Sequence, residues 1–173
     1  DNGDTYQSEI YRATAPNLEG PWTVGAEPII RLGPTDGEVV RVITSPSVIT
    51  HDGVLHMAYL GWNGFEDVTT VWTFGATSTD QGRTWTAPTR VNVPIGMEGQ
   101  STAMPDGGYV AVSTGEAAGG EGIFMACADH PFGPYSGPSD PILTQAGAPW
   151  EIDEINTAQI TFNLQTGEPM LYY

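Results

Sequence analysis

One unit recurs along this chain, and the recurrence limits what it can fold into more than any other property. The first half of the unit is a lead-in segment, a tight turn and a strand ending in aromatic or small residues. It occurs as Ser45-Pro46-Ser47-Val48-Ile49-Thr50-His51-Asp52-Gly53, then Val54-Leu55-His56-Met57-Ala58-Tyr59-Leu60. It returns as Gln100-Ser101-Thr102-Ala103-Met104-Pro105-Asp106-Gly107-Gly108, then Tyr109-Val110-Ala111-Val112-Ser113-Thr114. A third copy runs from Asn156 through Phe162 and a Thr166-Gly167 turn to Met170-Leu171-Tyr172-Tyr173. Asp-Gly and Thr-Gly between apolar runs are hairpin signals, because glycine accepts the positive φ such turns need. The second half is a strand, a polar turn, an aromatic residue and a short outer strand. Its copies are Val71 to Ser78 leading to Trp85, Ile123 to Ala128 leading to Gly133-Pro134-Tyr135, and Glu9 to Ala15 leading to Gly20-Pro21-Trp22. The outer strands are expected at Glu27-Pro28-Ile29-Ile30, Thr89 to Val93 and Asp140-Pro141-Ile142-Leu143.

Asp52 and Asp106 stand 54 residues apart, and Gly107 and Gly167 stand 60 apart. Standard four-stranded propeller repeats run to about 40–50 residues. The spacing therefore predicts an all-β propeller whose blades carry generous loops. The 22 glycines and 14 prolines are scattered, and no helical apolar period is sustained. The chain divides into a half blade at about 5–32, blades at about 42–93 and 98–144, and a half blade at about 154–173. That makes three blade equivalents in one domain spanning 1–173, with the two ends as halves of one cut blade. A usual propeller has about four to eight blades, and open blade edges are aggregation-prone. The chain is then a piece of a longer polypeptide, or a homodimer closes a six-bladed two-fold ring, or a distorted three-bladed ring forms.

Acidic residues number 21 against 5 basic ones, for a net charge of −16. Such a surface repels phosphate backbones and anionic lipids, which argues against nucleic-acid and membrane partners. The charge serves solubility, or an acidic groove for cations or neutral sugars. The single cysteine, Cys127, excludes an intrachain disulfide and sits in an apolar run, as a small buried hydrophobe would. Cysteine usage does not decide the compartment, and an extracytoplasmic one is favoured. The three histidines lack metal-ligand spacing along the chain. His51 is expected exposed in a turn, His56 hydrogen-bonded within a strand, and His130 at the start of another turn. No cofactor is expected, although an acidic channel would accept Ca²⁺ through Glu, Asp and Asn oxygens. No nucleophile elbow, phosphate loop or dinucleotide fingerprint occurs. The Gly-rich run 115–122 carries Glu116 and Glu121, and reads as a flexible hairpin loop unsuited to phosphate.

The run Ser78-Thr79-Asp80-Gln81-Gly82-Arg83-Thr84-Trp85 resembles the Asp-box of sialidases and related propellers. In that motif the Asp accepts N–H groups of its own turn and the Trp packs between blades, remote from the active site. The other blades resemble the five-bladed enzymes of glycoside hydrolase family 43, the arabinanases and xylosidases. The resemblance rests on Ala13 to Trp22, similar to that family's outer hairpin, and on Met97-Glu98-Gly99 with Asp106 to Tyr109, similar to the segment carrying its general acid. It implies a central channel with catalytic carboxylates at the starts of the inner strands. The matching positions are Ser45, Glu98 and Asn156, with serine and asparagine where the family would have aspartate.

Glu98 is the implied general acid. Glycoside hydrolysis normally needs two carboxyl groups, about 5–5.5 Å apart for retention or about 6.5–9.5 Å for inversion. Asp153 is the expected second, with Glu151 and Glu154 beside it; missing blades or a partner's Glu98 are the alternatives. Ser45, Asn156, Trp62, Trp150 and Glu154 are the expected substrate contacts, with the two tryptophans as sugar-stacking platforms. Trp72 is expected to pack between blades. The function expected is acid/base hydrolysis of a glycosidic bond in an oligo- or polysaccharide. The alternatives are a lectin-like carbohydrate-binding propeller and a structural repeat of a larger protein.

Overall fold

The computed structural model describes residues 8–63, 70–94, 100–117, 120–145, 155 and 157–173. The described residues are all-β, with no helix among them. At the N-terminal side β1 (Ala13–Thr14) pairs with β2 (Thr23–Val24), and Ile10 bridges Ile30. A small hairpin follows, β3 (Gly33–Thr35) with β4 (Glu38–Val40). It turns on Asp36 and Gly37, with φ of 50° and 83°. Two successive positive φ values give the turn whose twist matches a hairpin, and Asp-Gly is among its favoured sequences.

Two larger sheets come next. The first runs β5 (Val42–His51), β6 (Val54–Trp62), β7 (Val71–Ser78) and β8 (Thr89–Arg90), in that order and antiparallel throughout. The second repeats the pattern with β9 (Gln100–Ala103), β10 (Tyr109–Ala117), β11 (Gly120–Ala128) and β12 (Leu143–Thr144). A last hairpin pairs β13 (Gln159–Phe162) with β14 (Pro169–Tyr172). The strands β5, β9 and β13 lie side by side, each the first strand of its sheet.

The sheets stack face to face, which the side-chain alternation of a strand makes possible. Met57 and Tyr59 of β6 point into one core with Ile10, Ile30, Ile43 and Phe74. Ala58, Leu60 and Trp62 of the same strand point into a second core with Val42, Val93 and Ala111. Val110 and Val112 of β10 face a third, with Ile123, Ile155, Ala158 and Ile160. The middle strands are buried on both faces, so β6 is almost uninterruptedly apolar from Met57 to Leu60. Burying one such side chain contributes about 1.5–3 kcal/mol. Trp72 and Trp85 pack at the edge of the first core, and the Arg90 guanidinium lies 5.4 Å from the Trp72 ring centre.

The structure differs from expectation in three places. The 33–40 hairpin lies outside the repeat. The outer strands are shorter than the apolar runs: β8 and β12 have two residues each, and Ile30 makes only a bridge. Pro28, Pro88, Pro94 and Pro141 stand in or beside those runs, and proline has no N–H to give a ladder. Residues 115–117 and 120–122 form a ladder, with Glu116 opposite Glu121 and Ala117 opposite Gly120.

Candidate functional site

Copies of the repeat meet where the first strands of the two large sheets touch. Ser47 on β5 and Ser101 on β9 are buried and stand 54 residues apart, the same offset as Asp52 to Asp106. The Ser101 N–H donates to Ser47 Oγ at 3.3 Å, and Ser47 Oγ donates to the Ser101 carbonyl at 3.2 Å. Equivalent residues thus tie the two sheets together and set the level of one lead-in segment against the next. Ser45 lies two residues before Ser47, and Glu98 three before Ser101.

Ser45 is in a left-handed conformation, φ 53°, within a register shift between Thr44 and Ser47. A bulge bends its strand and re-aims the side chain that occupies it. A non-glycine residue held at positive φ costs on the order of 1 kcal/mol or more and persists only where its surroundings impose it. The surroundings here are Ser8, whose Oγ accepts the Ile43 N–H at 3.0 Å and donates to the Ile43 carbonyl at 2.6 Å. Trp62 ends β6 opposite Val42, at the same end of the sheet as Ser45. It is buried in the second core, with 7% of its surface exposed. The structure therefore brings Ser45 and Trp62 to one end of adjacent strands. Glu98, Trp150, Glu151, Asp153, Glu154 and Asn156 lie outside the described residues.

The sequence reading missed one carboxylate at this end. Glu121, half-buried at the start of β11, accepts the Ile155 N–H at 2.6 Å through Oε2. It anchors the chain leading into β13 to the hairpin of the neighbouring sheet. Treating 115–122 as a loop hid it, although the alternation of Glu116 and Glu121 about a short turn was a signal. A cleft of about 530 Å³ between the Thr102–Pro105 and Thr161–Gly167 segments lies at the opposite end of the strands. Among the described residues no carboxylate lines it.

The Ser78–Trp85 turn has a structural part. Asp80 accepts the Thr84 and Arg83 N–H groups at 2.9 and 3.0 Å, and the Thr84 and Ser78 hydroxyls at 2.7 and 2.8 Å. The Thr84 amide and hydroxyl, then the Ser78 hydroxyl, hold its carboxyl well below the usual carboxylate range. A carboxyl this occupied is unsuited to proton transfer.

No family model and no curated protein sequence matches the chain. Solved structures do. A protein of Parabacteroides distasonis designated a glycoside hydrolase superposes with a TM-score of 0.54 at 14% identity, over 98% of this chain and 53% of its own. A structure from glycoside hydrolase family 130 superposes at 0.50 and 16%, over 95% of this chain and 51% of its own. That family is described as mannoside phosphorylases containing hydrolases that target β-1,2 mannosidic linkages in Candida mannan. A family 43 protein of Bacillus licheniformis reaches only 0.43 at 13%, too weak a likeness to support an argument. The chain spans about half the length of the first two proteins. At such identities the likeness establishes architecture alone: the chain shares its all-β fold, with repeated antiparallel four-stranded sheets, with the first two structures.

Proposed function

We propose that this chain is part of a glycoside hydrolase-like propeller that acts on an oligo- or polysaccharide. Glu98 is the general acid and Asp153 the second carboxyl group. Ser45, Asn156, Glu154, Trp150 and Trp62 contact the sugar, Trp62 through the 7% of its surface that is exposed. The observation that carries this reading is the left-handed bulge at Ser45. Backbone outliers concentrate at functional positions, and this one lies two residues before Ser47, whose hydroxyl bonds to Ser101 of the next lead-in segment. The chain contributes three blade equivalents. The rest of the ring comes from further sequence or from a second copy, and light scattering separates a mass of 18.4 kDa from its double.

Glu98→Gln tests the assignment. It should lower kcat on aryl glycosides by about a hundredfold or more, since general acid catalysis contributes roughly 10²–10⁴-fold. Equal activity of variant and parent on every active substrate would refute it. A second reading is a lectin-like propeller that holds glycans without cleaving them. Ser45 favours it, because a serine stands where the resemblance calls for a carboxylate. Glycan binding that survives in a parent chain without hydrolytic activity would select that reading.

A further inference from the structure

All three histidines of the chain, dispersed in sequence, come together in space. His51 ends β5, His56 lies in β6, and His130 follows β11 by two residues. Their ring centres are 5.8 Å (His51–His56), 5.2 Å (His51–His130) and 5.1 Å (His56–His130) apart. The cluster sits at the β5–β6 turn, the end of the sheet away from Ser45, and joins the two large sheets. Among the described residues no group of His, Cys, Asp and Glu is arranged to hold a metal ion.

The polar contacts of the three rings differ. His130 Nδ1 accepts the Phe132 N–H at 3.1 Å, so the ring proton sits on Nε2. His56 is 8% exposed, and among the described residues its Nδ1 has no hydrogen-bond partner. His51 Nδ1 lies 2.7 Å from the Tyr109 hydroxyl. Its Nε2 lies 3.6 Å from Asp52 Oδ2, on a side chain that is 89% exposed. The other titratable groups on the elements packed here are Cys127 at the end of β11, exposed Asp129, and Tyr135. Tyr135 donates its hydroxyl to the Pro131 carbonyl at 2.9 Å, and burial pushes its phenol up to about 12. Among the described residues no carboxylate forms an ion pair with His56 or His130.

The segment these groups hold is a plug. The Phe132 ring packs edge-on to His56 and His130, with centres 5.1 and 6.0 Å apart. Its far edge lies against Gly75 of β7: a Cβ built there would be 2.8 Å from Phe132 Cζ. A residue of the second sheet thus fills a notch that only glycine leaves in the first.

We propose that His51, His56 and His130 form a proton-operated latch, which when neutral seats Phe132 against Gly75 and when protonated releases it and loosens the seam between the sheets. A second proton on His130 turns the acceptor of the Phe132 amide into a donor, and that bond is lost. A proton on His56 places a cation in a buried ring whose Nδ1 has no acceptor among the described residues, with a second imidazole about 5 Å away. Burial, and then His130 and His51, lower the affinity of His56 for that proton. Its folded value lies below the ordinary 6.5. Between the two, the unfolded chain takes a proton that the folded chain refuses. The contribution to stability is therefore complete above 6.5 and declines as pH falls toward the folded value.

The test is thermal unfolding of the full chain between pH 7.5 and 5.5, with hydrogen exchange at the Phe132 amide. Carboxylates stay largely ionised in that window. Tm should fall by about 3–8 °C and Phe132 protection by about tenfold or more. His56→Gln/His130→Gln should flatten both responses. If that variant does not fold, His51→Gln removes one charge from a half-exposed position and should shrink them. An unchanged Tm and protection in the parent chain, or an equal decline in the variants, would overturn the latch. Neither readout depends on hydrolysis, so the outcome is independent of the role assigned to Glu98.

Discussion

Replacing Gly75 by alanine probes the stacking of the two large sheets at one atom. The new Cβ would lie 2.6 Å from Val91 Cγ1 and 2.8 Å from Phe132 Cζ, where ordinary contacts begin near 3.4 Å. Val91 belongs to the segment after β8, and Phe132 crosses from the neighbouring sheet, so the methyl group is pressed from both sides. Overpacking of this kind costs about 1–3 kcal/mol. Losing a glycine restricts the unfolded chain and returns about 0.4–1 kcal/mol. The net expectation is a loss of about 1–2 kcal/mol. For a chain of this length that is a Tm drop of about 2–8 °C, readable by circular dichroism or calorimetry. Phe132→Leu removes the ring atoms at fault. Combined with Gly75→Ala it should cost at least about 0.5 kcal/mol less than the two changes summed. A Gly75→Ala chain as stable as its parent, or strictly additive losses, would show that Phe132 does not occupy the notch.

Two further substitutions test the fold elsewhere. Gly137→Ala would put a Cβ 2.2 Å from the Met125 carbonyl oxygen and 2.9 Å from Ala126 Cα. Backbone cannot rotate away as a side chain can, so it should lower Tm more than Gly75→Ala does; a smaller effect in the same melt would contradict the packing of 137 on β11. Ser47→Ala leaves the buried Ser101 N–H without its acceptor, which costs about 1–3 kcal/mol. Urea unfolding should show this as a lower midpoint at constant slope, and an unchanged midpoint would mean that water replaces the hydroxyl.

The internal repeat made the middle of the fold legible. The 54-residue offset reappears as a hydrogen bond between Ser47 and Ser101, because equivalent positions of adjacent sheets face each other. Asp52-Gly53 and Thr166-Gly167 mark hairpins for a local reason, the positive φ at Asp52, Gly53 and Gly167. What escaped the sequence has two causes. Features outside the repeat had no second copy to reveal them, as with the hairpin on Asp36-Gly37. Features created by stacking leave no mark on chain spacing. His56 and His130 are far apart in sequence, yet their rings meet because β6 and the turn after β11 occupy neighbouring sheets. Glu121 was hidden differently: a glycine-rich stretch suggested a loop, whereas pairing through Ala117 and Gly120 holds it as strand. The bulge at Ser45 was marked only by Pro46, which removes a ladder donor from an otherwise regular β run.

A site assembled from the starts of several inner strands inherits its geometry from the way the sheets stack. Proton transfer and nucleophilic attack tolerate errors of only a few tenths of an ångström to about 1 Å. No single sheet can supply that tolerance, because Ser45 lies in β5 and Glu98 stands before β9 in the sequence. The lateral position of β5 against β9 is set by the Ser47–Ser101 bonds. Phe132 fills the space beside Gly75, which stands opposite Ala58, itself opposite Ser47, so this contact joins the sheets at the level of the serine pair. Two contacts on different strands, β5 and β7, resist a rotation of one sheet against the other that either alone would leave free. The histidine cluster packs on the second contact through Phe132, so its protonation would act on the stacking of the sheets.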